Sequence, residues 1–211
     1  MQTTNPISNI DPNKPIVALT FDDGPSEYTS RILDALQQHG GRVSFFVTGS
    51  KIAEFKNKIF RAHQMECEIL CHAWDHSDFT TLSIDEIATQ ISRTNDAIAD
   101  ITGSVSNIFR PPYGNVNKKV IKAAKKLDFA IANWSLDSKD LESKDTDTIL
   151  SNIMSTVKSG DIVLCHDVND STARAIELLI PELVERECQL LTISELLHYK
   201  YGSIESGKIY L

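Results

Sequence analysis

The sequence predicts an α/β protein in which parallel strands alternate with helices. Short apolar runs rich in branched residues recur along the chain, and longer segments between them carry apolar residues at helical spacing. Strands that alternate with helices pair in parallel through right-handed crossovers. Six or seven such units are too few for an eight-fold barrel of about 250 residues. We therefore expect a compact, incomplete barrel, with an open doubly wound sheet as the alternative.

The predicted strands are apolar runs that end at turns or polar residues. The first, residues 16–21, leads into Asp22-Asp23-Gly24-Pro25, in which Gly-Pro marks a sharp turn. Further strands are predicted over residues 43–47, 67–71, 107–109, 129–134, 161–165 and 189–192.

Apolar spacing and capping residues predict the helices. The clearest covers residues 84–102, because Ser83 and Glu86 form the pattern of a capping box and Gly103 ends the segment. The other predicted helices are 28–39, 52–65, 117–127, 146–158, 171–187 with an interruption near Pro181, and 193–200.

The composition excludes several classes of partner. The formal net charge is −8, which argues against binding to nucleic acid or to an anionic membrane surface. No run of about 18 apolar residues occurs, so no membrane span is expected. Residues 1–6 lack a basic start and an apolar core, so we expect no signal peptide in this chain.

The chain is expected to form one domain. Apolar residues make up 41 % of the 211 residues, enough for a core, and no linker or repeat divides them. Residues 1–13 are polar and are predicted to form an extended lead-in to a single domain over 14–211. The four cysteines lie mostly within apolar runs and are expected to be buried thiols without a disulfide framework; they are Cys67, Cys71, Cys165 and Cys188.

Ionisable side chains follow the predicted strands at the point where each one ends. Because the carboxyl ends of parallel strands meet at one face of a barrel, these groups are expected to converge there. A merely solvated rim would scatter them over both ends. They are Asp22 and Asp23 after the first strand, His72 and His76 after the third, Arg110 after the fourth, Asp137 and Asp140 after the fifth, and His166 after the sixth.

The acidic pair and the two histidines predict a metal site. Asp22 and Asp23 would repel each other when buried, and a cation would relieve that repulsion. On one helical turn His72 and His76 would face the same side and share an ion. Two histidines and one carboxylate form a common catalytic zinc set. Taken alone, the histidine spacing is a weak signal, and one aspartate of the pair could simply cap a turn.

Two further groups suggest catalytic chemistry. Arg110 precedes Pro111-Pro112, whose stiff backbone suits a peptide N–H aimed at an oxyanion, although a plain rigid turn is the alternative. Arg110 could pair with Asp22 or Asp23. His166 should lie at the barrel mouth, where a nearby carboxylate, Asp140 or Asp137, would raise its pKa and keep it protonated as an acid. A structural histidine is the alternative.

These residues resemble the motifs of the polysaccharide deacetylases, carbohydrate esterase family 4, also called the NodB-homology domain. The resemblance covers residues 14–200 and implies a distorted (β/α)7, TIM-like barrel. Any one motif is modest evidence, but five in family order are highly specific. They are Thr20-Phe21-Asp22-Asp23-Gly24-Pro25, His72 with His76, Arg110-Pro111-Pro112-Tyr113-Gly114, Asp137 with Asp140, and Leu164 with His166.

The resemblance also implies a role for each residue. The metal is one divalent ion, usually zinc, with cobalt or another ion accepted by related enzymes. By position, Asp22 resembles the general base and His166 the general acid, while Asp23, His72 and His76 resemble the metal ligands. Arg110 resembles the residue that orients the base, and Asp140 resembles the residue that tunes His166. Around them, Tyr113 resembles the backbone N–H donor to the oxyanion, Leu164 resembles a wall of the acetyl pocket, and Trp74 is a candidate groove residue that could equally be packed.

Three departures from the family pattern affect residues around the site. Ala73 replaces a usual Ser or Thr, Leu70-Cys71 replaces Gly-Asn, and Leu141 replaces Trp. None removes a ligand or a catalytic group, so activity is expected, with less support for the ligand loop and a less aromatic pocket wall.

Three functions are therefore considered. The favoured one is a metal-dependent deacetylase of an N-acetylated glycan such as chitin oligomers or peptidoglycan. The others are an O-acetyl esterase of xylan with the same machinery and a catalytically silent glycan-binding module. The partner is an acetylated oligo- or polysaccharide, and a monomer is expected. A secreted or cell-envelope location is expected because such polymers lie outside the cytoplasm, with a cytoplasmic location, suggested by the buried thiols and the missing signal peptide, as the alternative.

Overall fold

A curved sheet of parallel strands organises residues 10–211, the part of the chain that the computed structural model describes. The strands, numbered in chain order, are β1 (Ile16–Asp22), β2 (Ser44–Val47), β3 (Glu68–Cys71), β4 (Ile108–Phe109), β5 (Ala130–Ala132), β6 (Leu136–Asp137), β7 (Ile162–His166), β8 (Gln189–Leu190) and β9 (Ile209–Tyr210).

The strand order identifies a barrel-type winding. The hydrogen-bonded path is β6-β7-β1-β2-β3-β4-β5-β9, with β8 paired to the start of β1, and every pair is parallel. From β1 to β5 each crossover moves one place in the same direction, so the helices cover one face and the sheet curls around the other. A doubly wound sheet would reverse direction at a switch point. The predicted (β/α)7 fold is thus confirmed.

Most helices pack outside the sheet, and those of nine residues or more lie close to where the sequence predicts them. The helices are α1 (Thr29–His39), α2 (Gly49–Ile52), α3 (Lys56–Gln64), α4 (Ile84–Thr102), α5 (Lys118–Leu127), α6 (Asp140–Ser143), α7 (Thr146–Met154), α8 (Asp170–Glu185) and α9 (Ile193–Tyr201). The last helix instead contributes Ile193, Leu196 and Leu197 to the cluster inside the barrel that contains Ile16 and Ala18.

The capping box predicted for α4 is confirmed. The Ser83 side chain accepts from the Glu86 backbone N–H while the Glu86 carboxylate accepts from the Ser83 N–H, and Gly103 closes the helix in the left-handed region. A second capping box opens α9, between Thr192 and Glu195. The predicted strand 189–192 is therefore too long, because Thr192 belongs to the cap.

Two helix predictions are wrong. The predicted helix 52–65 is two helices, α2 and α3, separated by a break at residues 53–55, and both Ile52 and Ile59 are buried in this arrangement. Helix α8 continues through Pro181 without interruption. Proline removes one helical hydrogen bond, but its neighbours Leu179, Ile180 and Leu183 are all buried, and their burial keeps both halves of the helix on the core.

Three of the short elements were not predicted. Strands β6 and β9 have two residues each and α6 has four, too few to show a period in the sequence. The predicted strand 129–134 shortens to β5, and the predicted helix 146–158 shortens to α7.

Side-chain alternation along the strands separates an outer core from an inner one. On β1, Val17, Leu19 and Phe21 belong to the core beneath the helices, whereas Ile16 and Ala18 point into the barrel. The inner face then continues with Thr20 and Asp22, because successive side chains on a strand point to opposite faces. The inner face therefore changes from apolar to polar at the carboxyl end of the strand.

Other features agree with the composition. All four cysteines are free and buried, as predicted. Within residues 10–211 no helix is long and apolar enough to cross a membrane. Most of the predicted lead-in, residues 1–9, lies outside the described part. Of the remainder, Asp11 donates its N–H to Gln189 Oε1 at 2.9 Å. The division at residues 13 and 14 stays a prediction.

Candidate active site

Alternation along four strands brings the candidate residues into the barrel. Ile162 on β7, Leu70 on β3 and Ile108 on β4 line the inner core. Counting in steps of two from these residues places His166, His72 and Arg110 on the inner face, as Asp22 is on β1. Asp22 and His166 are register partners at the ends of paired strands. The expected convergence at one end of the sheet is thus explained by strand geometry.

Asp23, His72 and His76 form a three-residue cluster. Asp23 Oδ1 lies 3.4 Å from His72 Nε2 and 3.1 Å from His76 Nε2. The ligand atoms of the three residues all lie within 4.8 Å of one another. Asp23 Oδ1 is buried and, within residues 10–211, makes no well-aligned hydrogen bond, although both imidazole nitrogens are close to it. A buried oxygen without a partner is costly unless another group satisfies it.

A divalent metal ion fits this cluster. Tetrahedral ligands about 2.0–2.1 Å from zinc lie roughly 3.4 Å from one another, close to the two separations between Asp23 Oδ1 and the imidazole nitrogens. His72 Nδ1 lies 2.9 Å from the Arg110 carbonyl oxygen and donates to it, so Nε2 keeps its lone pair for a metal. The buried Asp23 oxygen would then be satisfied by the ion.

The electrostatics of the cluster also favour a cation. Burial opposes ionisation of Asp23, but contacts with His72 and His76 outweigh it and hold the pKa of that carboxyl well below its usual range. The pKa of His76 is raised, first by its contact with Asp23. Both shifts mean that positive charge is stabilised between these three groups.

The histidines do not share a helical turn, which corrects the sequence interpretation. They lie in a loop after β3, in which Ala73 and His76 adopt positive φ angles of 76° and 63°. These left-handed residues bend the chain back. His76 therefore reaches Asp23 from the loop, whereas His72 reaches it from the end of β3. The exposed Tyr113 ring packs nearly perpendicular to the His76 ring, with 4.8 Å between the ring centroids and 77° between the ring planes.

Arg110 pairs with Asp22, one of the two partners considered from the sequence. The guanidinium is completely buried, and its Nη1 lies 2.6 Å from Asp22 Oδ1 and 2.9 Å from Thr20 Oγ1. Its Nε and Nη2 donate to the carbonyl oxygens of Ala132 and Asn133. Burial lowers the pKa of Arg110, but these four acceptors fix the group in place. Asp22 therefore has a defined orientation.

Asp140, and not Asp137, is the partner of His166. Asp140 is completely buried and its Oδ1 accepts from His166 Nδ1 at 2.8 Å, while its Oδ2 accepts from the His166 backbone N–H at 2.7 Å. Burial lowers the pKa of His166, but the hydrogen bond and charge of Asp140, together with the charges of Asp22 and Asp23, outweigh it and raise that pKa to about 9. Asp137 instead pairs with Lys139 at 2.9 Å.

The remaining predicted residues lie around this centre. Leu164 is buried on the inner face of β7, between the partners Thr20 and Asp137 on neighbouring strands. Tyr113 occupies a 3₁₀ turn with φ 62° and ψ 6°. Trp74 packs over Gly49 and beneath Arg93, whose Cζ lies 3.5 Å from the ring centroid. Contact of these three residues with substrate stays a prediction.

Two supporting residues were not identified from the sequence. Thr20 hydrogen bonds to Arg110, and its position two residues before Asp22 on the same strand face was the available signal. Thr172 donates to Asp140 Oδ2 at 2.8 Å from α8, and nothing in the sequence pattern indicates this contact.

Comparison with known proteins identifies three informative relatives. The chain is 35 % identical over 188 residues to the peptidoglycan-N-acetylmuramic acid deacetylase PdaC of Bacillus subtilis. The aligned region covers 89 % of this chain and 40 % of PdaC. It is 34 % identical over 196 residues to the peptidoglycan-N-acetylglucosamine deacetylase PgdA of Listeria monocytogenes, and the aligned region covers 92 % of this chain and 41 % of PgdA. A bifunctional xylanase/deacetylase of Pseudobutyrivibrio xylanivorans is 32 % identical over 191 residues, and the aligned region covers 89 % of this chain and 31 % of that relative. This chain thus spans less than half the length of each of these relatives.

Structure comparison and the family sequence model agree. A solved structure of the Bacillus subtilis deacetylase PdaC matches with a TM-score of 0.87 at 34 % identity, over 92 % of this chain and 95 % of the solved one. The sequence model of the family described as polysaccharide deacetylase matches residues 9–132, more than half of the chain. On these findings and on the five motifs of its active-site face, the chain belongs to the polysaccharide deacetylase family.

Proposed function

We propose that this chain is a metal-dependent hydrolase that removes acetyl groups from N-acetylglucosamine units of peptidoglycan or chitin oligomers. The observation that carries the proposal is the buried Asp23 Oδ1, which lies between two imidazole nitrogens and has no well-aligned hydrogen bond in the described part of the chain. A carboxylate fixed by Arg110 and a protonated histidine lie at the same barrel mouth. Together they supply an electrophile site, a base and an acid, the groups that amide hydrolysis needs.

Asp23, His72 and His76 would hold one divalent ion, and two nitrogen ligands with one oxygen favour zinc. Cobalt or another divalent ion would suit the same donors. When bound, such an ion polarises the acetyl carbonyl and makes a water molecule a better nucleophile at neutral pH.

Asp22 is the proposed general base. Its Oδ1 is engaged by Arg110, and its Oδ2 faces the cluster, 3.8 Å from His72 Nε2. The carboxylate takes a proton from the attacking water as the water oxygen bonds to the acetyl carbon. The Tyr113 backbone N–H, presented by a left-handed turn, donates to the oxyanion that develops on the former carbonyl oxygen.

His166 is the proposed general acid. Asp140 holds its Nδ1, so Nε2–H is the proton available to the substrate. The C–N bond breaks as the sugar nitrogen takes this proton, which leaves acetic acid and a free amine. Asp22 then gives up the proton it took from water, His166 takes up a proton again, and the acetic acid loses its proton to the solvent to become acetate.

The relatives support an N-acetylated wall polymer as substrate. Two of them are named as deacetylases of N-acetylmuramic acid and N-acetylglucosamine in peptidoglycan. Such a substrate implies action outside the cytoplasm, and we propose a monomer acting there. O-acetyl xylan is the second candidate, because another relative is named as a xylanase/deacetylase. A silent binding module is disfavoured because every proposed ligand and catalytic residue is present.

Acetate release from peptidoglycan, chitooligosaccharides and acetylxylan, measured with and without a chelator, tests the proposal. We expect about one metal ion per chain, and acetate release from an N-acetylated substrate that a chelator stops and zinc restores. Absence of metal binding together with absence of acetate release would favour the binding-module alternative. Preference for acetylxylan would establish the esterase alternative.

The matched variant is Asp22→Asn, which keeps the size and the position of the side chain. We expect it to bind the metal normally and to lose turnover by about a hundredfold or more, because a general base is removed. A near-normal rate would exclude Asp22 as the base. Asp161→Asn is a suitable control, since Asp161 hydrogen bonds to Ser135 away from the site.

A further inference from the structure

Asp167 is a buried carboxylate that the proposed mechanism does not use. It directly follows His166, and no part of it is exposed. Its Oδ2 accepts a hydrogen bond from Thr29 Oγ1, whereas its Oδ1 has no partner among the described residues. Buried carboxylates are rare unless something pairs with them. A buried carboxylate oxygen without a partner breaks the usual rule of polar pairing, and such exceptions are typical of functional regions.

The carboxylate packs directly on the loop that carries Asp23. A Cβ built on Gly24 would lie only 2.1 Å from Asp167 Oδ1, so the carboxylate rests on the Gly24 Cα, and any larger residue would displace it. The contact continues along the loop, because Ser26 Oγ donates to the Asp167 carbonyl oxygen and the Ser26 N–H donates to Thr29 Oγ1.

The opposite side of the same loop is held by the start of α2. The Thr48 N–H donates to the Gly24 carbonyl oxygen at 2.7 Å. Lys51 Nζ donates to the Asp23 carbonyl oxygen at 2.9 Å. Residues 23–26 are thus clamped between α2 on one side and Asp167 with Thr29 on the other.

Asp23 needs such a clamp because its backbone is strained. Its φ of 70° lies in the left-handed region, which residues other than glycine adopt only when their surroundings impose it. This conformation turns the Asp23 carboxylate towards His72 and His76. Relaxation of the loop would move Oδ1 away from both imidazoles.

We propose that Asp167 is a positioning residue that holds Asp23 in its metal-binding conformation and fixes the Asp23 loop relative to His166. The inference rests on the proposed metal-dependent function. Asp167 connects the Asp23 loop to the proposed acid, because it directly follows His166 in the chain and packs on Gly24. Its loss would weaken metal binding and turnover together while leaving the barrel folded.

Two variants test this role from both sides of the hydrogen bond. Asp167→Ala removes the carboxylate, and Thr29→Val removes only the hydroxyl while keeping the volume, with Thr29→Ser as the conservative rescue. Asp145→Ala is the control, because Asp145 also accepts a backbone N–H, at 2.9 Å from Thr148, but caps α7 away from the site. Zinc affinity is measured by competition with a chromophoric chelator, and folding by circular dichroism.

We expect zinc affinity to fall about tenfold or more in Asp167→Ala and Thr29→Val, as for other residues that orient metal ligands. Turnover should fall with it, with a smaller change in KM, and Thr29→Ser should recover both. Asp145→Ala should lower the melting temperature without changing zinc affinity.

Wild-type zinc affinity in a folded Asp167→Ala variant would overturn the proposal. If that variant does not fold, wild-type affinity in Thr29→Val overturns it instead. Failure of the proposed function has a different signature, since the wild-type chain itself would then bind no zinc and release no acetate.

Discussion

Replacement of Asp140 by asparagine tests the assignment of His166 as the acid. Asp140 Oδ2 accepts from two donors, the His166 N–H and Thr172 Oγ1, whereas Oδ1 accepts from His166 Nδ1 alone. In Asp140→Asn the single amide oxygen is best placed towards the two donors. The amide NH₂ then faces His166 Nδ1. Nδ1 can accept a hydrogen bond from this amide only when it carries no proton, that is, when the imidazole is neutral.

The magnitude follows from the pKa of His166. Against the lowering effect of burial, Asp140 first and then the charges of Asp22 and Asp23 raise this pKa from 6.5 to about 9, which favours the protonated ring by about 3 kcal/mol. Without the carboxylate the hydrogen bond and charge of Asp140 are lost while burial of the ring remains, so the pKa of His166 falls. A fall to the ordinary value of about 6.5 would lower the protonated fraction at about pH 8 from about 90 % to about 3 %, roughly thirtyfold.

Two measurements check this result. An NMR titration of the metal-free protein should show the His166 ring titrating at lower pH in Asp140→Asn than in the wild type. In the metal-loaded enzyme the alkaline limb of kcat should move to lower pH, so the deficit should be large near pH 8 and smaller near pH 6. Asp137→Asn is the matched control, because Asp137 contacts Lys139 and not His166. It should leave the alkaline limb unchanged.

An unchanged alkaline limb in Asp140→Asn would refute the reasoning. A shift of equal size in Asp137→Asn would show that general charge, and not the hydrogen bond to Nδ1, sets the pKa of His166.

Two further predictions concern packing and capping. Gly49→Ala would place a Cβ 2.5 Å from Trp74 Cε3 and 2.6 Å from Thr94 Oγ1, so we expect a loss of about 1–3 kcal/mol in the free energy of unfolding, measured by urea denaturation. A change in tryptophan fluorescence should accompany it, and an unchanged stability and spectrum would contradict the packing of Trp74 on Gly49. Ser83→Ala removes the capping box of α4 and should cost about 1 kcal/mol with no change in zinc affinity. Loss of zinc affinity in this variant would contradict the separation of α4 capping from the site.

Long elements with a clear period were predictable from the sequence. The buried run of β1 and the capped α4 are local in origin, because alternation, capping residues and Gly103 all act within a few positions. Strands β6 and β9 exist only because β7 and β5 offer them backbone partners. The split between α2 and α3 and the continuity of α8 through Pro181 depend on which side chains the core buries.

The sequence by itself determined which residues are candidates for the site and the end of the sheet at which they lie. Residue type indicates the candidate donors, and positions directly after the predicted strands place Asp22, His72, Arg110 and His166 at the carboxyl ends of those strands. Which group contacts which was decided only by the tertiary structure. Arg110 binds Asp22 and Asp140 holds His166 because distances between strand ends depend on how the sheet curls. The loop that brings His76 to Asp23 depends on two left-handed residues that no helical spacing predicts.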